Sequence, residues 1–170
     1  MAGSVIGTSM NYGYPGTFAR NGDCIIANRI VKSTSDPIAF GEAVILNPDN
    51  TVSRFGAAGT AATFDGIAVR EVKQNTSYTP ANGSYTAGQP CDVIQRGSVS
   101  VACNVGTPTA GGKVYVRITA NAGIPAGVVG GFEAAADGAN TLEITNAKWA
   151  TGLKDANNVS ELTILSRNLP

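Results

Sequence analysis

The sequence predicts an all-β fold with little helix, and three observations carry that reading. Several short runs alternate apolar and polar residues with a period of two, the pattern of a strand with one face in a core. Turn-forming residues separate these runs, drawn from 21 glycines, 8 prolines and many Asn and Asp. No long stretch carries apolar residues at helical spacing. Short strands with turns at regular intervals argue for a barrel or a sandwich.

The elements follow in chain order. Residues 25–31 and 43–46 are short apolar strand candidates, and Asn47-Pro48-Asp49-Asn50 after the second is a strong turn signal. Residues 66–72 and 91–95 come next, with Asp65-Gly66 and Asn82-Gly83 read as turn pairs that tolerate positive φ. Ser98-Val99-Ser100-Val101 puts two valines on one face and two serines on the other. Gly97 before it is a bulge or a tight reversal. In 114–118, Tyr115 and Arg117 are expected to point outward, and 142–145 and 161–164 complete the alternating set, with Asp137-Gly138 as a further turn pair. Residues 56–63 and 123–131 lack large side chains and are expected to be loops, mobile or ordered by a neighbouring subunit.

The N-terminal stretch differs. Met10-Asn11-Tyr12-Gly13-Tyr14-Pro15-Gly16-Thr17-Phe18 carries three aromatic rings among glycine and proline, with no periodicity to bury them. Residues 1–23 are therefore read as an extended arm and 24–170 as a single β domain. The rings dock into a neighbour's groove or pack on their own domain, since both bury them. Tyr12, Tyr14, Pro15 and Phe18 are candidate protein-interface residues. Trp149, the lone tryptophan, joins them as a candidate subunit anchor, although the core is the favoured place for so large a ring.

Composition narrows the function. Charged residues make up 14% of the 170 residues, against about a quarter in an ordinary domain. A surface of Ser, Thr, Asn, Gly and Ala has few charges to strip of water when a partner covers it. Twelve Lys and Arg balance twelve Asp and Glu. The cations are scattered singly, so nucleic acid is not an expected partner. Zero net charge favours self-association. No apolar run has the length of a membrane span, so no membrane contact is expected. The first twenty residues contain no secretory core. Cys24, Cys91 and Cys103 are too few and too far apart for a disulfide framework or a zinc ribbon, which leaves free thiols in a reducing compartment.

Catalysis finds little support. The chain has no histidine, which removes Ser-His-Asp and Cys-His chemistry. Two acid pairs could in principle serve a glycosidase, Asp65 with Glu71 and Glu133 with Asp137, but both sit where solvated carboxylates are ordinary. Gly111-Gly112-Lys113 lacks the spacing and the following helix of a phosphate loop. Asn47-Pro48-Asp49-Asn50 has oxygens but no calcium-loop register. No catalytic, metal or cofactor site is expected.

The ordered series of segments resembles the structural cement, or capsid decoration, proteins of tailed bacteriophages. It runs from Ile38-Ala39-Phe40-Gly41-Glu42-Ala43-Val44 through Phe64-Asp65-Gly66-Ile67-Ala68-Val69-Arg70-Glu71-Val72 and residues 88–101 to Ala110-Gly111-Gly112-Lys113-Val114-Tyr115-Val116. It closes with Ala147-Lys148-Trp149-Ala150-Thr151-Gly152 and Val159-Ser160-Glu161-Leu162-Thr163-Ile164-Leu165. The resemblance spans about Gly13 to Leu165, and it lies in order and spacing, not in any one segment. It implies a small β-barrel or β-tulip-like domain. It also implies a homotrimer on the outer surface of the virion that bridges major capsid protein subunits, made in the host bacterial cytoplasm. The family carries no catalytic residues to transfer. Two other readings fit parts of the sequence: a tail or baseplate β domain, and a carbohydrate-binding β module using Tyr12, Tyr14 and Phe18 as a platform.

Overall fold

The structure, a computed structural model, describes residues 11–20, 22–70 and 83–168. Twelve strands account for the regular structure of these residues: β1 Ile25–Ile30, β2 Ile38–Ala39, β3 Ala43–Leu46, β4 Val52–Arg54, β5 Phe64–Ala68 and β6 Ser84–Tyr85. β7 is Pro90–Ala102, β8 Tyr115–Arg117, β9 Phe132–Glu133, β10 Thr141–Glu143, β11 Ala147–Trp149 and β12 Val159–Ile164. Helix among the described residues is confined to one 3-10 turn, Gly138–Asn140. The all-β expectation holds.

The main sheet has seven strands in the order β11-β12-β7-β5-β3-β4, with β1 also on β7. A second sheet runs β10-β8-β9, and β2 pairs with β6. The main path ends at β4 and β11 without joining, so the strands form an open, sandwich-like arrangement and not a closed barrel.

β7 is the spine. Its 13 residues span about 40 Å at strand rise. The lower half pairs with β1 and β5, and the upper half pairs with β12. Gly97 lies inside the strand, so the reversal is excluded. Two facts show why a bulge is needed. The β1 register steps from Ile25 opposite Arg96 to Ile26 opposite Ile94, leaving one β7 residue over. Ile94 faces the larger core cluster, and so do Val99 and Val101 at odd numbers. A strand of strict period two cannot do this, and one extra residue flips the faces. Gly97 has φ +119°, and a Cβ there would lie 2.7 Å from the Asp23 carbonyl oxygen and 2.9 Å from Cys24 Sγ.

Two apolar clusters cover the two faces of the main sheet. The larger gathers Ile45, Ile67, Ile94, Val99, Val101, Trp149 and Leu162 with Val114, Val116, Phe132 and Ile144 from around the small sheet. The smaller sits on the opposite face, with Val44, Ala68, Cys91 and Val93 against Ile38, Phe40, Val52 and Tyr85. The two clusters account for the nearly continuous burial along β3, β5 and β7.

Several sequence expectations need correction for the same reason. Ser98 and Ser100, on the face opposite the valines, are buried as well. Ser98 Oγ meets Thr163 Oγ1 at 2.7 Å, and Ser100 Oγ donates to the Tyr12 carbonyl at 3.0 Å. Arg117, expected outward, is completely enclosed. Asp65-Gly66 lies within β5 and not in a turn. A Cβ on Gly66 would stand 2.1 Å from the Ile94 carbonyl oxygen, so the glycine permits close strand approach. The 56–63 and 123–131 loops pack on their own core. Gly59 abuts the Phe55 ring, and Gly127 abuts the Arg117 guanidinium. By contrast, Asn47 to Asn50 forms the expected turn: Asn50 N donates to Asn47 O at 3.0 Å, with Asn50 at φ +63°. Residues 71–72 and Asn82 lie outside the described residues.

Candidate interface at the N-terminal segment

Residues 16–19 run along the upper edge of β7, in line with β1. Gly16 N donates to Ser100 O at 2.8 Å, Ser100 N to Thr17 O at 2.9 Å and Ala19 N to Ser98 O at 3.1 Å. Phe18 sits opposite Val99 and packs against the larger core cluster. The described part of the aromatic stretch is thus seated on its own domain. Residues 1–10 of the expected arm lie outside the described residues.

The segment is held by a turn that the sequence encodes. Thr17 N donates to Tyr14 O at 3.2 Å, and Thr17 Oγ1 donates to the same oxygen at 2.7 Å. Pro15 occupies the second turn position, and Gly16 the third with φ +83°. Proline followed by a positive-φ glycine is the demand of a type II turn. The turn packs tightly on Gly41: a Cβ there would fall 2.7 Å from Pro15 Cβ. Two flanking bonds complete the seat, Gly41 N to Ala68 O and Arg70 N to Gly16 O.

The candidate residues separate by position. Tyr14 is 57% exposed, and Pro15 beside it is half-buried. Tyr12 is half-buried, its N–H on Asp155 Oδ2 at 3.0 Å and its hydroxyl 3.2 Å from Thr151 Oγ1. Leu153, 68% exposed, lies in that same loop. Trp149 is buried within the larger core cluster, and its Nε1 has no hydrogen-bond partner among the described residues. The structure therefore brings Tyr12, Tyr14, Pro15 and Phe18 together on one segment and leaves Trp149 inside the domain. Phe18 is turned to the core and Tyr14 to solvent, so the three rings do not make one flat platform for a sugar.

Sequence reasoning missed Arg70 and Phe40. The Arg70 guanidinium carbon lies 5.4 Å from the Tyr14 ring centroid and 5.1 Å from that of Phe40. Tyr85 meets Phe40 edge-on at 5.2 Å and donates its hydroxyl to Val69 O. The proline-glycine turn was a legible signal for the segment. Nothing local in the sequence links residue 70 to residue 14.

The acid pairs have structural employment. Glu133 takes Arg117 in a two-pronged contact, Nε to Oε1 at 2.5 Å and Nη2 to Oε2 at 2.9 Å, with both side chains wholly buried. Asp137 takes the third side of Arg117 at 2.8 Å. Hydrogen bonding from Asn121, then from Arg117, holds the Asp137 carboxyl below its ordinary range. Asp65 is fixed by Arg29 at 2.7 Å and Gln95 at 2.7 Å, while Glu71 lies outside the described residues. Among the described residues no group of three or more His, Cys, Asp or Glu is placed to hold a metal ion. No helix among them is long and apolar enough to cross a membrane. Cys91 and Cys103 are buried and Cys24 half-buried, and burial pushes the Cys103 thiol pKa up.

A solved structure, "The capsid of Myoviridae Phage XM1", contains a chain similar to this one with a TM-score of 0.71. The match covers 99% of this chain and 100% of that one at 18% identity, so it shows a shared fold. Comparison with curated proteins finds no match. The model of the family described as XM1 gp53 minor capsid protein matches residues 3–164. Nearly the whole described fold lies within that match, and the chain belongs to the XM1 gp53 minor capsid protein family, a family of phage capsid accessory proteins.

Proposed function

We propose that this protein is a non-enzymatic structural component of the virion that decorates the phage head and bridges major capsid protein subunits. The observation that carries the reading is the family match over residues 3–164. The low-charge surface and the seated aromatic segment support it. The protein acts as a homotrimer on the outer surface of the shell, after synthesis in the host cytoplasm. A standard protein contact buries on the order of 1,600 Å² in total. A trimer that engages several capsid subunits gains avidity without any single tight contact. It stabilises the assembled shell by mass action, because it binds the shell and not dissociated subunits. Threefold closure limits the assembly and shields strand edges. Tyr14 and Pro15 make the contact, Tyr12 and Phe18 fix the segment, and Trp149 supports it from within the core. The extended arm, residues 1–23, belongs to the same interface.

The test adds purified protein to undecorated heads and scans their thermal stability. Binding with a rise in the disruption temperature is expected. Absence of both would overturn the reading. Electron microscopy of the decorated particle then places the protein on the head lattice or elsewhere.

A further inference from the structure

We infer that Arg70, held between Tyr14 and Phe40, anchors that contact by taking a carboxylate from the major capsid protein. The inference rests on the capsid reading above and names the chemistry of the site.

Three observations carry it. The first is charge. Among the described residues Arg20, Arg29, Arg54, Arg96 and Arg117 each have a carboxylate within ion-pair distance. Arg70 and the exposed Arg167 have none among the described residues, and of these two only Arg70 is given two aromatic rings instead. Rings attract the guanidinium face but leave its N–H edge unused. A planar fork with a free edge is matched by a carboxylate, which can accept two parallel bonds.

The second is rigidity. An arginine normally loses much rotamer freedom when it binds. Here the backbone is pinned, since Arg70 N donates to Gly16 O at 3.0 Å and Val69 N to Asp92 O at 2.8 Å. The side chain is stacked against both rings. Tyr14 is itself fixed by the two Thr17 bonds to its carbonyl. Most of the ordering has been done before any partner arrives, which favours affinity.

The third is placement. Tyr14 is 57% exposed while Phe40 is 8% exposed, so the stack is buried at one end and open at the other. Tyr and Arg are the residue types that dominate interface energetics, in settings where neighbours exclude water. The low-charge surface supplies such neighbours, and a carboxylate arriving there meets a cation in a setting drier than bulk water.

The experiment measures binding to undecorated heads for the wild type, Arg70→Gln, Arg70→Glu and Arg70→Lys, at two ionic strengths. Thermal melts of the free variants check that the fold is intact. Arg70→Gln is expected to weaken binding at least about thirtyfold, the range of an interface anchor, and to flatten its salt dependence. Arg70→Glu should bind more weakly still. Arg70→Lys keeps the charge but loses the fork, and should fall between wild type and Arg70→Gln. On heads, carbodiimide should couple the amine introduced by Arg70→Lys to an Asp or Glu of another protein, read by mass spectrometry. Wild type that binds while Arg70→Gln binds within twofold overturns this inference and leaves the capsid reading standing. Wild type that does not bind overturns the capsid reading, and this inference with it. Coupling of the introduced amine only to its own chain also overturns it. So does glycan-inhibited binding that needs Tyr14 and not Arg70, which would assign the stack to a sugar.

Discussion

Replacing Glu133 with glutamine should destabilise the domain by about 3 kcal/mol. The figure follows from the surroundings of Arg117. That guanidinium is 0% exposed and faces Glu133, also 0% exposed, through contacts of 2.5 and 2.9 Å. Removing one partner of a buried pair typically costs about 3–5 kcal/mol, because the remaining charge has lost its counterion in a poorly solvating place. Asp137 at 2.8 Å still offers a negative charge, which sets the cost at the low end. For a chain of this size, each kcal/mol lowers the melting temperature by about 2–4 °C, so a drop of about 6–12 °C is expected. Urea unfolding followed by fluorescence measures the change directly. Trp149 is the lone tryptophan and sits buried in the core, so it reports the loss of that core. The double variant Arg117→Met with Glu133→Leu should recover much of the loss, since an apolar pair needs no desolvation of charge. A Glu133→Gln variant within about 1 kcal/mol of wild type would refute the account of Arg117 as a buried, paired cation.

Four further outcomes are expected. The folded Asp137 carboxyl titrates below its ordinary value, so its contribution is complete above that value and is lost as pH falls through the folded one; Asp137→Asn should flatten this acidic limb of the stability–pH curve. Gly97→Ala forces a Cβ to 2.7 Å from the Asp23 carbonyl at a positive φ and should cost about 1–3 kcal/mol in urea unfolding; a neutral effect would remove the glycine requirement at the bulge. Removing residues 1–19 strips Phe18 and the strand pairing to Ser98 and Ser100, and should lower the melting temperature by several degrees or cause aggregation at the bared edge. A thiol reagent on the native protein should label half-buried Cys24 first, with Cys91 and Cys103 reacting only on unfolding; equal rates for all three would contradict their burial.

The sequence was informative wherever one local signal had one structural meaning. Period-two alternation located β7, β8, β10 and β12, because a strand with a core face has no other way to bury its apolar side chains. Asn47 to Asn50 turned as its chemistry requires, and the Pro15-Gly16 pair carried a turn of its own. Strands β2, β4, β6, β9 and β11, of two or three residues each, were not read from the sequence, since none lies within a run that the alternation marked. Aromatic residues in a glycine- and proline-rich stretch marked the candidate interface, yet could not say which ring faces solvent.

The sequence by itself determined an all-β chain of low charge, without histidine, with a special N-terminal segment and an order of segments that identified its kind. Tertiary structure alone decided which faces of the strands are covered. Alternation shows that two faces differ, but it cannot show that a second layer lies over the polar one, and so it did not reveal the burial of Ser98 and Ser100 and turned Arg117 outward. It also decided that a bulge, with Gln95 as the extra residue, lies beside Gly97, whose close neighbours Asp23 and Cys24 are more than seventy residues away in the chain. The same long-range packing put Arg70 against Tyr14 and Phe40 and drew Glu133 and Asp137 to Arg117. Charges and rings act through space, and only the folded chain fixes the distances on which those forces depend.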